Sequence, residues 1–158
     1  MTAISEKAFV QAPLASANRL LQTFFDENTD GTGLQARILL SVGDIQQPAI
    51  VSLQAVRRPE DMTPRYRVHW EADGGGAYPV FDGELTVGGD DDYNAFLLRL
   101  EGGYVPPGGT AGRIFDAVVG HRLAESTART LLRQIGATIE SHFNTEETVK
   151  AAAAGSRE

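Results

Sequence analysis

The sequence RYRVHWEADGGGAYPVFDGELTVGGDDDYNAFLLRLEGG, residues 65–103, decides the fold of this chain. In its first segment, 65–73, Tyr66, Val68 and Trp70 alternate with charged residues. Because successive side chains of a β-strand point to opposite faces, this period of two predicts a strand with one apolar and one polar face.

Two further segments, 79–87 and 93–103, repeat the same alternation. Their apolar side carries Phe81, Leu85, Val87, Phe96, Leu98 and Leu100. Glycine-rich links at 74–76 and 88–92 separate the segments and are typical of hairpin turns. One apolar and one polar face per strand indicates an antiparallel sheet that is covered on one side only. The stretch therefore predicts a β-meander.

Upstream, the segments 34–42 and 48–56 read as two more strands of this sheet. Residues 6–12 read as a first strand, and Pro13 suits the first turn of a helix. Apolar residues then recur at helical spacing, which predicts a helix over about 14–26.

Downstream, the sequence predicts one long helix over about 111–143, with Thr110 as its N-cap. Spacing at 100° per residue gathers an apolar stripe of Ile114, Val118, Ala128, Leu132, Ile135, Ile139 and Phe143. Gly120 and Gly136 interrupt the helix, and we expect each to have a packing reason because glycine disfavours helices. We expect a single domain over 1–145, and a frayed or disordered tail over 146–158.

Composition restricts the function. A chain of 158 residues with 42% hydrophobic and 22% charged residues is typical of one globular domain. The formal net charge of −7 disfavours nucleic acid as a partner. The absence of cysteine excludes disulfides and thiolate metal sites, and we expect no metal and no cofactor. No apolar segment has the length of a signal peptide or a membrane span, so we expect a cytoplasmic protein without stable membrane insertion. We also expect a monomer or weak homodimer.

Short motifs add a resemblance to a known family. These motifs are Val10-Gln-Ala-Pro13, Leu98-x-Leu-x-Gly-x-Tyr-x-Pro-Pro-Gly108, Asp116, Ala124-x-x-Thr127 and Leu131-Leu132. Over roughly 6–143 the chain resembles the START-like, birch-pollen-allergen-like superfamily (SRPBCC), which includes polyketide cyclase/dehydrase relatives and members without an assigned reaction. The resemblance implies an α+β helix-grip fold, in which a twisted antiparallel meander wraps around the C-terminal helix. It also implies a cavity for lipids, sterols, polyketides or plant hormones, without universal catalytic residues.

The helix sequence bears on such a cavity. Its first half offers small residues, namely Ala117, Gly120, Ala124 and Ala128. The apolar space above them is either filled by Tyr66, Trp70, Phe81 and Phe96 or left open for a ligand. Trp70 and Tyr66 suit a plain core as well as a pocket wall.

His121 and Glu125 are the sharpest polar feature, since they lie one helical turn apart within the apolar stripe. One interpretation makes them a polar anchor at the pocket, with His121 as donor or general base and Glu125 setting its tautomer. The other is a structural pair near an open end of the grip. Tyr104 lies where the last strand ends and either lines an entrance or packs in the turn. Asp116 is expected to be a structural acid.

The candidate ligand-binding residues are His121, Glu125, Tyr66, Trp70, Phe81, Phe96, Leu98, Tyr104, Ile114 and Val118. The leading hypothesis is a carrier or sensor of a small hydrophobic or amphipathic molecule. The second is a cyclase/dehydratase-type lyase or isomerase that uses His121 and Glu125 to move protons. The third is an interaction module that binds a protein partner and no ligand.

Overall fold

The structure is a computed structural model that describes residues 2–29, 35–42, 48–56, 60, 63–75, 78–89, 93–105 and 117–155. Six strands and two helices make up these residues, in the α+β order predicted from the sequence. They are β1 (Thr2–Val10), α1 (Ala17–Glu27), β2 (Gln35–Leu40), β3 (Ala49–Val56), β4 (Arg65–Ala72), β5 (Val80–Gly89), β6 (Phe96–Val105) and α2 (Ala117–Gly155). A short 3-10 turn, Leu14–Ser16, precedes α1.

The six strands form one antiparallel sheet with the order β1-β6-β5-β4-β3-β2. From β2 to β6, strands that follow each other in sequence pair with each other. Strand β1 pairs with β6 and forms the opposite edge of the sheet from β2. The β4–β5 turn contains Gly74 and Gly75, whose φ angles of 80° and 82° are readily adopted only by glycine. The predicted antiparallel meander with a long C-terminal helix, a helix-grip arrangement, is confirmed.

Among the boundaries that lie within the described residues, two differ from the sequence prediction by four residues or more. Strand β1 begins at Thr2 instead of residue 6, because its ladder with β6 continues to the Thr2–Tyr104 pair. Helix α2 continues through Gly155 instead of ending near residue 143. Its last turns are rich in alanine, the residue with the highest helix propensity. The division between a domain at 1–145 and a tail at 146–158 stays a prediction.

Helix α2 lies mainly along β1 and also contacts α1, β6 and β2. Near its beginning the buried face carries Gly120, Ala124 and Thr127, and further on it carries Leu132 and Ile135. The predicted stripe is therefore correct for the second half of the helix and wrong at its first turns, where Val118 is 57% exposed. Residues two positions apart on a helix differ by about 200°, so burial of Gly120 turns Val118 outward.

The centre of the sheet is covered by aromatic side chains. Trp70 on β4 lies directly opposite Phe81 on β5, and their rings stack with centroids 4.0 Å apart and an interplanar angle of 13°. Both side chains are 0% exposed. The Phe81 ring extends over Gly83 and Gly102, whose missing side chains leave it room. This stack lies within the buried core of the domain.

No helix within the described segments is both long enough and apolar enough to cross a membrane.

Candidate functional site

A groove opens where the beginning of α2 passes the ends of β1 and β6. Its volume is about 460 Å³, and it is lined by Thr2, Tyr104, Val118, His121, Arg122 and Glu125. The four helix residues have the spacing i, i+3, i+4 and i+7, which places them on one helix face. Thr2 and Tyr104 are direct partners across the β1–β6 ladder. Sheet pairing and helical periodicity together therefore build the groove.

Tyr104, His121 and Glu125 form a hydrogen-bonded chain within this groove. The Tyr104 hydroxyl lies 3.2 Å from His121 Nδ1, and His121 Nε2 lies 2.6 Å from Glu125 Oε1. A carboxylate can only accept a hydrogen bond, so in a neutral His121 the proton belongs on Nε2. Nδ1 is then the acceptor for the Tyr104 hydroxyl. Glu125 thus sets the tautomer that points a basic nitrogen at Tyr104.

Glu125 is itself held from the other side. Its Oε2 accepts a hydrogen bond of 2.7 Å from Arg129, and Arg129 Nε donates a second bond of 3.3 Å to Glu6 on β1. The charges of Glu125, Arg129 and Glu6 therefore alternate in sign and hold α2 against the edge of the sheet. The His121 and Glu125 side chains are 42% and 29% exposed, so the pair lies at the groove rim and not in the sealed core. The pair is at once hydrogen-bonded and accessible from the groove.

Arg122 is a groove residue that the sequence analysis did not single out. It is exposed, and no carboxylate of the described residues pairs with it. The signal was present in the sequence, since Arg122 is four residues after Val118 and beside His121. Arg122, His121 and Val118 thus give the groove a guanidinium that has no carboxylate partner within the described segments, an imidazole and an apolar side chain.

Five of the other predicted ligand-binding residues lie inside the core. Tyr66, Trp70, Phe81, Phe96 and Leu98 are buried on the concave face of the sheet and do not line the groove. The Tyr66 ring packs on Phe25 of α1, with centroids 5.6 Å apart. These side chains belong to one continuous buried cluster that also contains Ala124 and Ala128 of α2. Four of the ten candidates, Tyr104, Val118, His121 and Glu125, meet in the groove.

Three residues from the sequence analysis, Thr110, Ile114 and Asp116, lie outside the described residues. Within the described ranges, no three histidine or acidic side chains are placed to hold a metal ion.

Among the described residues, one buried side-chain nitrogen has no hydrogen-bond partner. Trp70 Nε1 is buried and makes no hydrogen bond within the described part of the chain. Trp70 belongs to a row that crosses the sheet through Phe81 to Tyr104, since each is the register partner of the next. The row therefore connects the groove to the unpaired indole N–H.

Tyr78, which precedes β5, also reaches α2 and was not predicted from the sequence. Its hydroxyl lies 2.6 Å from Thr127 Oγ1, and Thr127 donates a bond of 2.7 Å to the Leu123 carbonyl. Because the Thr127 proton is used in that bond, Tyr78 is the donor to Thr127. Burial raises the pKa of Tyr78, and the hydrogen bond with Thr127 opposes that shift. The hydrogen bond between Tyr78 and Thr127 therefore links the segment before β5 to the buried face of α2.

Comparison with known proteins supports the fold. No family model matches the sequence, and no curated protein matches it either. Among solved structures, a conserved protein from Geobacillus kaustophilus is similar with a TM-score of 0.59 and 11% identity, over 92% of this chain and 96% of that one. At that identity the similarity shows a shared fold and nothing more.

Two further solved structures are similar with lower TM-scores. A START superfamily protein from Mycobacterium smegmatis has a TM-score of 0.47 and 11% identity, over 92% of this chain and 99% of that one. The Zhui aromatase/cyclase from a Streptomyces species has a TM-score of 0.43 and 12% identity, over 88% and 92%. The architecture itself, a six-stranded antiparallel sheet with a long C-terminal helix, confirms the helix-grip fold that the resemblance implied.

Proposed function

We propose that this protein binds a small amphipathic molecule, such as a lipid or polyketide, in the groove between α2 and the β1–β6 edge, as a carrier or sensor. The observation that carries this proposal is the composition of the groove. The groove combines the guanidinium of Arg122, which pairs with no carboxylate of the described residues, with the apolar side chain of Val118 and the ring of Tyr104. A volume of about 460 Å³ also lies within the range of small-molecule sites.

The polar end of the ligand binds at the helix. Arg122 offers a fork of N–H donors that suits a carboxylate or carbonyl group. Glu125 does not compete for Arg122, because its two oxygens are engaged by His121 and Arg129. An acidic or carbonyl head group is therefore the chemistry that the groove recognises.

The apolar end of the ligand lies toward the sheet. Tyr104 has its ring beside the groove, and its register partner Phe81 leads into the concave face. From there the ligand contacts the predicted residues Tyr66, Trp70, Phe96 and Leu98. Because these side chains fill the core, binding requires some of them to move. In this proposal the protein acts as a monomer or weak homodimer in the cytoplasm.

The hydrogen-bonded chain favours a second function, a cyclase/dehydratase-type lyase. The Tyr104 oxygen takes a proton from the carbon next to a substrate carbonyl, while the Tyr104 proton passes to His121 Nδ1. Glu125 stabilises the imidazolium that forms. The proton on His121 Nδ1 is then transferred to the leaving hydroxyl group of the substrate, which departs as water. His121→Ala and Tyr104→Phe would each abolish this relay. Unchanged turnover of a β-hydroxy ketone in either variant would remove these residues from the mechanism.

Binding is tested by native mass spectrometry and thermal shift with dodecanoate, 1-dodecanol and an aromatic polyketide. Val118→Asp places a carboxylate in the groove, and Val149→Asp places one on an equally exposed position far along α2. We expect Val118→Asp to weaken dodecanoate binding about tenfold or more, because it desolvates a charge and repels the head group, and Val149→Asp to leave it unchanged. Absence of binding by every compound, or equal binding by both variants, would contradict the proposal.

A further inference from the structure

Trp70 is the single tryptophan of the sequence, and its buried indole N–H has no hydrogen-bond acceptor among the described residues. The side chain is 0% exposed. A buried donor without an acceptor destabilises the folded state, because it loses its hydrogen bond to water and gains none in return. A phenylalanine at this position would fill similar space without that cost. The indole nitrogen therefore needs an explanation other than packing.

The position of Trp70 relative to the groove supplies one. Tyr104, Phe81 and Trp70 are neighbours in one row across β6, β5 and β4. Adjacent strands are separated by about 4.8 Å, so Trp70 lies about 10 Å from the groove residue Tyr104 along this row. Between them lies the Phe81 ring, which stacks on Trp70. Packing alone holds that ring, so a ligand group of similar shape can take its place.

We infer that the inner end of the ligand carries a hydrogen-bond acceptor, of the ketone, ester or lactone type, that binds Trp70 Nε1–H after displacing the Phe81 ring. This inference rests on the proposed function and adds the chemistry of the buried end of the ligand. The ligand then has a polar head at Arg122, an apolar middle section, and one carbonyl oxygen about 10 Å further in. Trp70 is the residue that selects this carbonyl compound over a hydrocarbon of the same shape.

Acetophenone and ethylbenzene provide a matched pair of probes, because they share size and shape and differ in the carbonyl oxygen. Protein labelled with ¹⁵N gives one indole cross-peak, which reports on Trp70 alone. We expect acetophenone to bind about tenfold more tightly than ethylbenzene, since it alone satisfies the buried donor. We also expect acetophenone to move the indole proton resonance downfield, and ethylbenzene not to do so.

Two variants complete the test. Trp70→Phe keeps an aromatic ring and removes the donor, so the preference for acetophenone should disappear. Tyr78→Phe is the matched control, because it removes a buried hydroxyl that already has its partner in Thr127, and it should keep the preference. If Trp70→Phe does not fold, the indole resonance of the wild-type protein decides the question.

The outcomes separate this inference from the proposed function. If dodecanoate binds at the groove but acetophenone and ethylbenzene bind equally, or neither binds, the role of Trp70 is wrong and the groove proposal stands. If acetophenone does not shift the indole resonance, the role of Trp70 is likewise wrong. If neither dodecanoate nor the two probes bind, both proposals are wrong.

Discussion

Gly83 on β5 and Gly102 on β6 lie directly opposite each other in the sheet, and the Phe81 ring covers both. A Cβ atom added to Gly83 would lie 2.5 Å from Phe81 Cζ, and one added to Gly102 would lie 2.8 Å from the same atom. The pair of glycines therefore creates the recess in which Phe81 lies flat and stacks on Trp70. Two residues without side chains determine how the aromatic core is arranged.

This relationship predicts that Gly83→Ala and Gly102→Ala both destabilise the protein strongly. In each case the new methyl group would also meet backbone atoms of the neighbouring strand, the Glu101 carbonyl for Gly83 and the Asp82 carbonyl for Gly102. Backbone atoms cannot rotate away, so we expect a loss of about 3 kcal/mol in the free energy of unfolding. Urea denaturation measures this. A loss below about 1 kcal/mol in both variants would show that the recess is not tightly filled.

Gly136 on α2 should behave in the opposite way. A Cβ at this position would lie 3.5 Å from Val10 Cγ2, which is an ordinary van der Waals distance. The expected packing reason for this glycine is therefore not visible in the contacts. Because alanine has the higher helix propensity, Gly136→Ala should raise the free energy of unfolding by up to about 1 kcal/mol. The same urea experiment serves as the check, and destabilisation would mean that α2 lies closer to β1 than described.

Tyr78→Phe tests the contact between the segment before β5 and α2. The variant removes the hydrogen bond to Thr127 and leaves Thr127 bonded to the Leu123 carbonyl. We expect a loss of about 1 kcal/mol at neutral pH, the typical net contribution of one hydrogen bond. Thermal or urea unfolding of the variant and of the wild-type protein measures this difference in the free energy of unfolding. A variant as stable as the wild-type protein would mean that the hydroxyl is equally well bonded in the unfolded chain.

The same residue predicts a dependence on alkaline pH. Burial raises the pKa of Tyr78 above its ordinary value of 10.0, so the folded state holds the phenolic proton more tightly than the unfolded state. This contribution to stability is fully present below pH 10 and is lost as pH rises through the folded-state pKa. The stability advantage of wild type over Tyr78→Phe should therefore shrink above pH 10. A constant difference between the two unfolding curves up to pH 11 would contradict the raised pKa.

Arg122→Ala tests the recognition of the head group. Arg133→Ala is the matched control. Arg133 is also an exposed arginine of α2 and does not line the groove, and its replacement by alanine changes the net charge by the same amount. For an exposed ion pair we expect Arg122→Ala to weaken dodecanoate binding about three- to fivefold, and more at low salt than at high salt. Calorimetric titration of both variants measures the difference. Equal losses in the two variants would assign the effect to net charge and not to the groove.

The strands were predictable because one face of the sheet is wet and the other dry. In 65–103 apolar and polar residues alternate with a period of two. The ends of the three strands of that stretch lie within three residues of the predicted positions. The beginning of β1 was not predictable in this way. Thr2 belongs to the strand because Tyr104 of β6 offers it a partner, and that pairing leaves no mark on the local sequence.

The face that a helix buries was only partly predictable. Periodicity identified Leu132, Ile135 and Ile139 as core residues of α2. It misplaced Val118, because the buried face at the beginning of α2 contains Gly120, which lies about 200° around the helix from Val118. The spacing of His121 and Glu125 predicted their contact, since residues four apart on a helix are neighbours whatever the rest of the fold does.

The sequence by itself therefore determined the order of the elements, the antiparallel meander and the His121–Glu125 pair, because each depends on local periodicity. Only the tertiary structure decided that Tyr104 meets His121, that Arg122 lines the same groove and that the Trp70 indole has no partner. These relationships join residues that are distant in the chain, and they depend on the register of the strands and on where α2 crosses them. A single sequence encodes such packing as a whole and does not display it at any one position.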